Sequence, residues 1–318
     1  AFNKCVKLAN IVLPNSLVEI GDFVFNSCTS LVNVNIPDSV ELIGPYAFSG
    51  CSNLTDVNIN EETSNLKKID RSAFEYAEKL KMINFPKKLE FIGEQAFYGD
   101  TAFVGTPKIP ESVTEIGYNA FELTGCDKKA GDLEVAYSYE GKGYAKWILT
   151  SSFLTKTIDH YTIENNTIGI AGGAINEKGE YFTGELTLGS INNRTLKYIG
   201  DSAFAFNAFS SIVGLEYTQI KTIGKHAFAD CSNLSGTIII PNTIEKINYG
   251  AFIECINLEF IEIPNSVSYI DDCAFYNCEK LENINFSDEL SYISKSSIEG
   301  TRWLVNKNGL VEIAGFLL

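Results

Sequence analysis

The sequence has very few histidines, the residue on which enzymes most often rely for proton transfer and metal binding. Its 318 residues include two histidines, two tryptophans and one methionine. No P-loop occurs, and GIAGG at 169–173 does not complete the G-x-G-x-x-G pattern of dinucleotide-binding proteins. Neither His160 nor His226 has an identifiable nucleophile or acid partner, so no Cys–His or Ser–His pair is indicated. We therefore expect a protein that is not an enzyme and holds no cofactor or metal.

Basic residues are also scarce, since 25 Lys and Arg stand against 40 Asp and Glu, for a net charge of −15. Binding to nucleic acid or to anionic lipid requires a Lys/Arg-rich surface, so neither partner is expected. The negative charge is typical of a large soluble surface. No apolar run approaches the roughly 18 residues needed to span a bilayer, so direct membrane insertion is not expected. No signal peptide is recognisable.

The chain does contain an internal repeat. NIPDSVELIGPYAFSGCSNL at 35–54 and EIPNSVSYIDDCAFYNCEKL at 262–281 are close copies. Equivalent phenylalanines recur every 23 to 26 residues within two arrays, at Phe2, Phe25, Phe48, Phe74, Phe97, Phe121, Phe204, Phe228, Phe252 and Phe275, with Ile298 in a degenerate copy. This periodicity is typical of a solenoid, in which each coil places the same residue type over the coil below. Because the chain opens on AFNKC, within a repeat, we expect it to be part of a longer protein.

Each coil has three parts. The alternation in LVNVNIP (31–37) predicts a strand, and SVELIG (39–44) predicts a second extended piece with Gly44 as a turn residue. PYAFSGC (45–51) is long enough for about one helical or 3-10 turn. We expect the strands to stack about 4.8 Å apart and the phenylalanines to form an internal ladder.

The unit LVNVNIPDSVELIGPYAFSGCSNL resembles the repeat of the BspA-like, treponemal-type leucine-rich-repeat family, over 1–121 and about 196–300. TRWLVNKNGLVEIAGFLL at 301–318 is similar to segments between arrays in such proteins. The resemblance implies an α/β, right-handed solenoid of 23–24-residue coils. A parallel β-sheet would line its concave face, with short strands and helical or 3-10 turns on the convex side. It also implies a secreted or cell-surface protein of host-associated bacteria that serves in adhesion.

We accordingly predict a non-catalytic, monomeric binding module for a host matrix protein, another cell-surface protein or a glycan. Two alternatives remain open, namely an enzyme with its chemistry in 122–195 and a structural spacer that holds other domains off the cell surface. An enzyme would need groups around His160, Asp132, Glu134 or Asp159.

Residues 122–195 interrupt the repeat between arrays at 1–121 and 196–318, the second of which ends in a non-repeat tail. The segment predicts either degenerate coils with a longer hairpin or a protruding aromatic loop. Exposed aromatic side chains often anchor partners. The candidate loop residues are Tyr137, Tyr139, Tyr144 and Trp147.

Six of the eight cysteines lie three residues after the repeat phenylalanine: Cys5, Cys28, Cys51, Cys231, Cys255 and Cys278. In-register stacking keeps their Cβ vectors parallel, which is unfavourable for a disulfide, so we expect free, buried thiols. The state of Cys126 and Cys273 is left open. No cysteine pair has zinc-site spacing.

The outward positions of the first strand in each coil predict the binding surface. They form a polar, asparagine-rich strip on the concave face: Asn10, Asn33, Asn35, Asp56, Asn58, Met82, Asn84, Glu262, Asn283 and Asn285. The asparagines could exchange hydrogen bonds along the stack, or present an extended hydrogen-bonding surface to a protein or glycan, or do both.

Overall fold

The computed structural model describes residues 1–105, 107–125, 144–148, 155–157, 160–162, 167–170, 182–189, 196–307, 312–313 and 316–317. The chain forms two compact units, Ala1–Ser152 and Phe153–Leu318. Within the described ranges, helix is confined to two 3-10 segments, Leu215–Tyr217 and Lys295–Ser297, and one α-helical turn, α1 (Arg302–Val305). The division into 1–121, 122–195 and 196–318 stays a prediction.

The first unit is built from short strands: β1 (Glu19–Ile20), β2 (Asn33–Asn35), β3 (Leu42–Ile43), β4 (Asp56–Asn58), β5 (Lys68–Ile69), β6 (Phe91–Ile92), β7 (Ile109–Pro110), β8 (Glu115–Ile116) and β9 (Tyr144–Ile148). The second extended piece of each coil forms the parallel ladder β1-β3-β5-β6-β8. The first strands form the parallel pair β2-β4. Strand β9 pairs with β7 in antiparallel fashion.

The second unit contains β10 (Thr155–Thr157), β11 (His160–Thr162), β12 (Thr167–Ile170), β13 (Thr183–Thr187), β14 (Tyr198–Ile199), β15 (Ala208–Val213), β16 (Thr222–Ile223), β17 (Gly236–Ile239), β18 (Lys246–Ile247), β19 (Leu258–Glu262), β20 (Tyr269–Ile270), β21 (Asn283–Asn285), β22 (Tyr292–Ile293), β23 (Glu312–Ile313) and β24 (Phe316–Leu317). Its longest parallel ladder is β12-β14-β16-β18-β20-β22. First strands pair in parallel as β11-β13-β15 and β17-β19-β21. Two pairs, β10-β11 and β23-β24, are antiparallel. The predicted parallel solenoid of repeating coils is confirmed.

The repeat phenylalanines form the predicted internal ladder, except that Phe2 at its start is exposed. In the first unit the rings of Phe25, Phe48, Phe74 and Phe97 stack with centroids 5.2 to 5.4 Å apart and interplanar angles of at most 15°. In the second unit the corresponding centroids lie 5.0 to 5.8 Å apart. All of these rings are fully buried. Each ring therefore completes the core of the coils on either side of it.

The chain around each phenylalanine is a series of turns rather than the expected helical turn. In the coil of Phe48, Tyr46 and Gly50 have left-handed φ values of 56° and 68°. From Phe25 to Phe275, every repeat phenylalanine has left-handed residues two positions before and two positions after it, most of them not glycine. A non-glycine residue in this region costs about 1–2 kcal/mol, and the alternation prevents a helix from propagating.

The left-handed residues orient backbone N–H groups toward the next coil. Those of Tyr46, Phe48 and Gly50 donate to carbonyl oxygens of the following coil over 3.0, 2.7 and 2.7 Å. The same three-bond pattern recurs in the coil of Phe74. These bonds compensate for the backbone strain, because each N–H would otherwise be buried without a partner.

The glycine after the second extended piece has a different role from the one expected of a turn residue. A Cβ atom at Gly93 would lie 2.4 Å from the Arg71 backbone nitrogen, and one at Gly117 would lie 2.4 Å from the Glu94 nitrogen. Gly44 is tight in the same way, with Ile20 O at 3.0 Å, and none of the three has a left-handed φ. Glycine is favoured here because successive coils approach closely.

The six cysteines of the repeat position are free, as predicted, and so is Cys273, whereas Cys126 lies outside the described residues. The prediction of burial is wrong for Cys5, which is exposed because no described coil precedes its own. The structure adds a role for these thiols. Cys51 Sγ donates to Phe25 O over 3.1 Å, and Cys278 Sγ donates to Phe252 O over the same distance. Equivalent bonds are made by Cys28, Cys231 and Cys255. Each thiol thus satisfies the carbonyl of the preceding coil's phenylalanine.

Asp100 occupies the cysteine position in the coil of Phe97 and is completely buried. Its Oδ1 accepts a 2.7 Å hydrogen bond from the Ala77 backbone N–H, while its Oδ2 has no partner. Burial raises the pKa of Asp100 well above its usual value, Glu75 and Glu78 add to this, and the Ala77 bond opposes it. Folding therefore favours the protonated carboxyl.

We expect Phe48→Ala to lower the free energy of unfolding by about 3–5 kcal/mol, because it opens a cavity between two stacked rings. Val32→Ala, at a side chain 43% exposed, is the control and should change it by less than about 0.5 kcal/mol. Urea denaturation measures both. A loss below about 1 kcal/mol for Phe48→Ala would contradict an internal ladder.

We expect alkylation of the native protein to label Cys5, which is exposed, and Cys273, which is half-buried, before the repeat thiols inside the array. Burial raises the pKa of Cys51, Cys231 and Cys278 to about 12, so the reactive thiolate is nearly absent at neutral pH. Mass spectrometry after timed labelling measures the order. Unfolding without reductant should expose most of the eight cysteines as free thiols, and finding two or fewer would refute the stacking argument.

We expect Asp100→Asn to be more stable than the wild type at about pH 7, by about 1–3 kcal/mol, because the amide keeps the Ala77 bond without burying a charge. The stability contributed by a raised pKa is present below the unfolded value of about 3.9 and is lost as pH rises through the folded value. The advantage of the variant should therefore shrink toward about pH 4. Urea denaturation across this range tests it, with exposed Glu111→Gln as the control. A difference that does not depend on pH would contradict the burial of a titrating carboxyl.

Candidate binding site

The outward side chains of β2, β4 and the coil that follows them lie together on one surface. We call this surface the first strand face, defined by Asn33, Asn35, Asp56, Asn58, Met82 and Asn84. The β2-β4 register places Asn33 opposite Asp56 and Asn35 opposite Asn58. The Lys81 N–H donates to Thr55 O over 3.0 Å and aligns the third coil. Alternation brings these side chains to one side, because Val34 and Val57 point into the core.

A pocket of about 410 Å³ opens on this face. It is lined by five of the six residues of the face, all but Asn33, together with Asp38, Asn60 and Lys81 among others. The lining is mainly polar, with Met82 as its one long apolar side chain among the outward strand positions. The volume falls within the range of small-ligand sites, roughly 300–1,000 Å³.

An amide hydrogen bond joins two of the asparagines, since Asn58 Nδ2 donates to Asn35 Oδ1 over 2.8 Å. Asn84, in the equivalent position of the next coil, makes no side-chain hydrogen bond with the described part of the protein. Both arrangements predicted for the asparagines therefore occur on this face. Asn35 and Asn58 hydrogen-bond to each other along the stack, and the remaining hydrogen-bonding groups are directed to solvent.

Asp56 is, together with Asp38, one of the two carboxylates in the pocket lining. Its Oδ2 accepts from Thr55 Oγ1 over 2.6 Å, and its Oδ1 lies 3.3 Å from Lys81 Nζ. The Thr55 hydrogen bond, and then Lys81, lower the pKa of Asp56. Asp56 is consequently ionised at neutral pH and can accept further hydrogen bonds from a ligand.

A loop at 60–63 borders the pocket through Asn60, which belongs to the lining. Asn60 Oδ1 accepts from the backbone N–H groups of Glu62 and Thr63, over 3.0 and 3.2 Å. The Thr63 hydroxyl donates to the Asp38 carboxylate of the preceding coil. The Nζ atom of Lys87, in the following coil, lies 2.6 Å from Glu62 Oε1. The loop is thereby tied to the coils on both sides.

Sequence reasoning missed Asp38, Asn60 and Lys81. A signal for the loop was present, since Phe48 and Phe74 are 26 residues apart whereas Phe25–Phe48 and Phe74–Phe97 are each 23 apart. The additional residues had to form a bulge somewhere in this coil. The spacing alone could not indicate which face the bulge would border.

The remaining predicted strip residues do not join this pocket. Asn10 is exposed and precedes the first strand. Glu262, Asn283 and Asn285 are exposed on β19 and β21 of the second unit, where Glu262 is in register with Asn285. They occupy the same structural position as the asparagines of the first strand face.

The structure describes only part of the segment predicted to form an aromatic loop. Tyr137 and Tyr139 lie outside the described residues. Tyr144 and Trp147 belong to strand β9, which pairs with Ile109–Pro110, and not to the loop expected for them. YAKWI contains Tyr, Trp and Ile, which favour strands, and β7 provides a partner for it. Further along, β11, β12 and β13 continue the parallel ladders of the second unit.

The structure describes only part of the region in which an enzyme would need its catalytic groups. Asp132, Glu134 and Asp159 lie outside the described residues, and His160 is placed in strand β11. No group of three His, Cys, Asp or Glu side chains suited to a metal ion occurs among the described residues. None of the helices in the described part is long and apolar enough to cross a membrane.

The sequence model of a family described as BspA type leucine rich repeat region matches residues 1–127 and 197–309, in six copies. The chain is 25% identical to a leucine rich cell surface protein from Faecalibacterium prausnitzii, with a TM-score of 0.41, covering 90% of this chain and 80% of that one. It is 21% identical to a leucine-rich repeat protein from Eubacterium ventriosum, with a TM-score of 0.43, covering 89% and 80%. No curated protein matches.

Proposed function

Because the chain belongs to the BspA-type leucine-rich-repeat family, we propose that it is a non-catalytic binding module of a secreted or cell-surface protein. The partner is a host matrix protein or a protein on another cell, and the chain binds it as a monomer. Adhesion is the role that this partner class implies. Leucine-rich repeats in general serve protein–protein interaction, and stacked coils present an extended surface for it.

The observation that carries the proposal is the pocket on the first strand face. It lies where one coil is longer than its neighbours. The buried positions of the repeat serve the stack, whereas this departure from the repeat places a polar loop beside the pocket. Rim loops of this kind are typical sites of partner contact in proteins with a rigid scaffold.

We expect the purified chain to bind one or more members of an array of matrix and cell-surface proteins. Changing Asn35, Asn58 and Asn84 together to Lys should abolish that binding, because three long cations would fill the pocket and displace its polar contacts. Surface plasmon resonance at two salt concentrations measures the affinity and its electrostatic part.

The control variant changes Asn283 and Asn285 to Lys, at the same strand positions in the second unit. It should leave the affinity within about twofold. Equal loss in both variants would mean that the added charge, and not the pocket, is responsible. Binding to no member of the array would favour a structural spacer.

A further inference from the structure

We infer that the pocket of the first strand face binds a neutral saccharide, carried as a glycan by the partner glycoprotein. This inference rests on the proposed binding function and specifies the chemical group that enters the site. The juxtaposition that supports it is an open row of amide groups beside the carboxylates of Asp38 and Asp56, bordered by a loop that is already fixed.

The row combines donors and acceptors in a way that suits hydroxyl groups. The Asn58–Asn35 bond leaves the Asn58 carbonyl oxygen, the second N–H of Asn58 and both N–H groups of Asn35 available. The Asn84 amide adds both a donor and an acceptor, and Asp56 retains lone pairs beyond those engaged by Thr55 and Lys81. A sugar hydroxyl both donates and accepts, so neighbouring hydroxyls can satisfy neighbouring amides without leaving a buried group unpaired.

The charges disfavour the other ligand classes. An anionic ligand would face the carboxylates of Asp38 and Asp56, and like charges at an interface cost several kcal/mol. Lys81, the cation of the lining, is already engaged by Asp56. A cationic side chain would in turn have to compete with Lys81 for Asp56. An apolar side chain would remove water from the amides and return no hydrogen bond.

The rim is preorganised for a ligand of this size. Asn60 fixes the loop from within, and Asp38 and Lys87 fix it from the coils on either side. Little conformational entropy is then lost on binding. The lining offers Met82 but no aromatic ring, so a single glycan should bind weakly. Several glycans on one glycoprotein would raise the apparent affinity through avidity.

The test compares matrix glycoproteins before and after enzymatic removal of their glycans, with the intact purified chain as the binding protein. Deglycosylation should weaken binding at least about tenfold, and neutral oligosaccharides released from the same glycoproteins should compete. The double variant Asn58→Ala and Asn84→Ala should weaken binding to a similar degree. Its control, Asn283→Ala with Asn285→Ala, should remain within about twofold of the wild type. Circular dichroism and urea denaturation verify that each variant is folded.

Salt dependence separates a saccharide from a charged peptide. Binding to a neutral sugar should change by less than about twofold between low and physiological salt. If the deglycosylated proteins bind equally well and Asn58→Ala with Asn84→Ala still weakens them, the saccharide inference is overturned and the proposed function stands. A loss of about tenfold or more with added salt would overturn it in favour of a basic segment. Absence of binding to every glycoprotein and to the released oligosaccharides would overturn the inference and the proposed function together.

Discussion

The structure depends above all on hydrogen bonds between backbone groups of successive coils. In the turns around the repeat phenylalanines from Phe2 to Phe97 and from Phe204 to Phe275, alternate N–H groups donate to carbonyls of the next coil. No coil can satisfy these groups alone, and no coil can bury its phenylalanine alone. Backbone pairing and ring stacking therefore impose the same register, and a sequence that fits one fits the other. The left-handed residues are tolerated because both interactions hold them in place.

The same constraint explains why the repeat could be recognised from the sequence and parts of its conformation could not. The Val34-x-Ile36 alternation and the regular return of phenylalanine are chemical requirements, so they are visible as residue types. Left-handed φ at Tyr46 or Cys273 is imposed by the neighbouring coils, and these residue types do not signal it. A glycine such as Gly93 can indicate either a turn or the close approach of two coils. Only the packing of the coils distinguishes the two explanations.

The candidate site could be predicted from the sequence less completely than the repeat. Asn35, Asn58 and Asn84 could be placed on one strip because the strand period assigns them to the outer side. Their joint location in a pocket depends on the loop at 60–63, whose contacts with Asp38 and Lys87 join residues about 25 positions apart in the chain. Such contacts follow from the stacking of coils and not from local sequence. A departure from a regular period is thus a useful indicator of where a solenoid acquires a site.

The cysteine position has a consequence for the conditions under which the array can form. A disulfide needs an oxidant and a particular pair of partners, whereas the bond from a thiol to a phenylalanine carbonyl needs neither. Each such bond joins one coil to the one before it and is complete as soon as the two coils meet. While the thiols stay reduced, the stack can consequently assemble coil by coil without a disulfide-forming step.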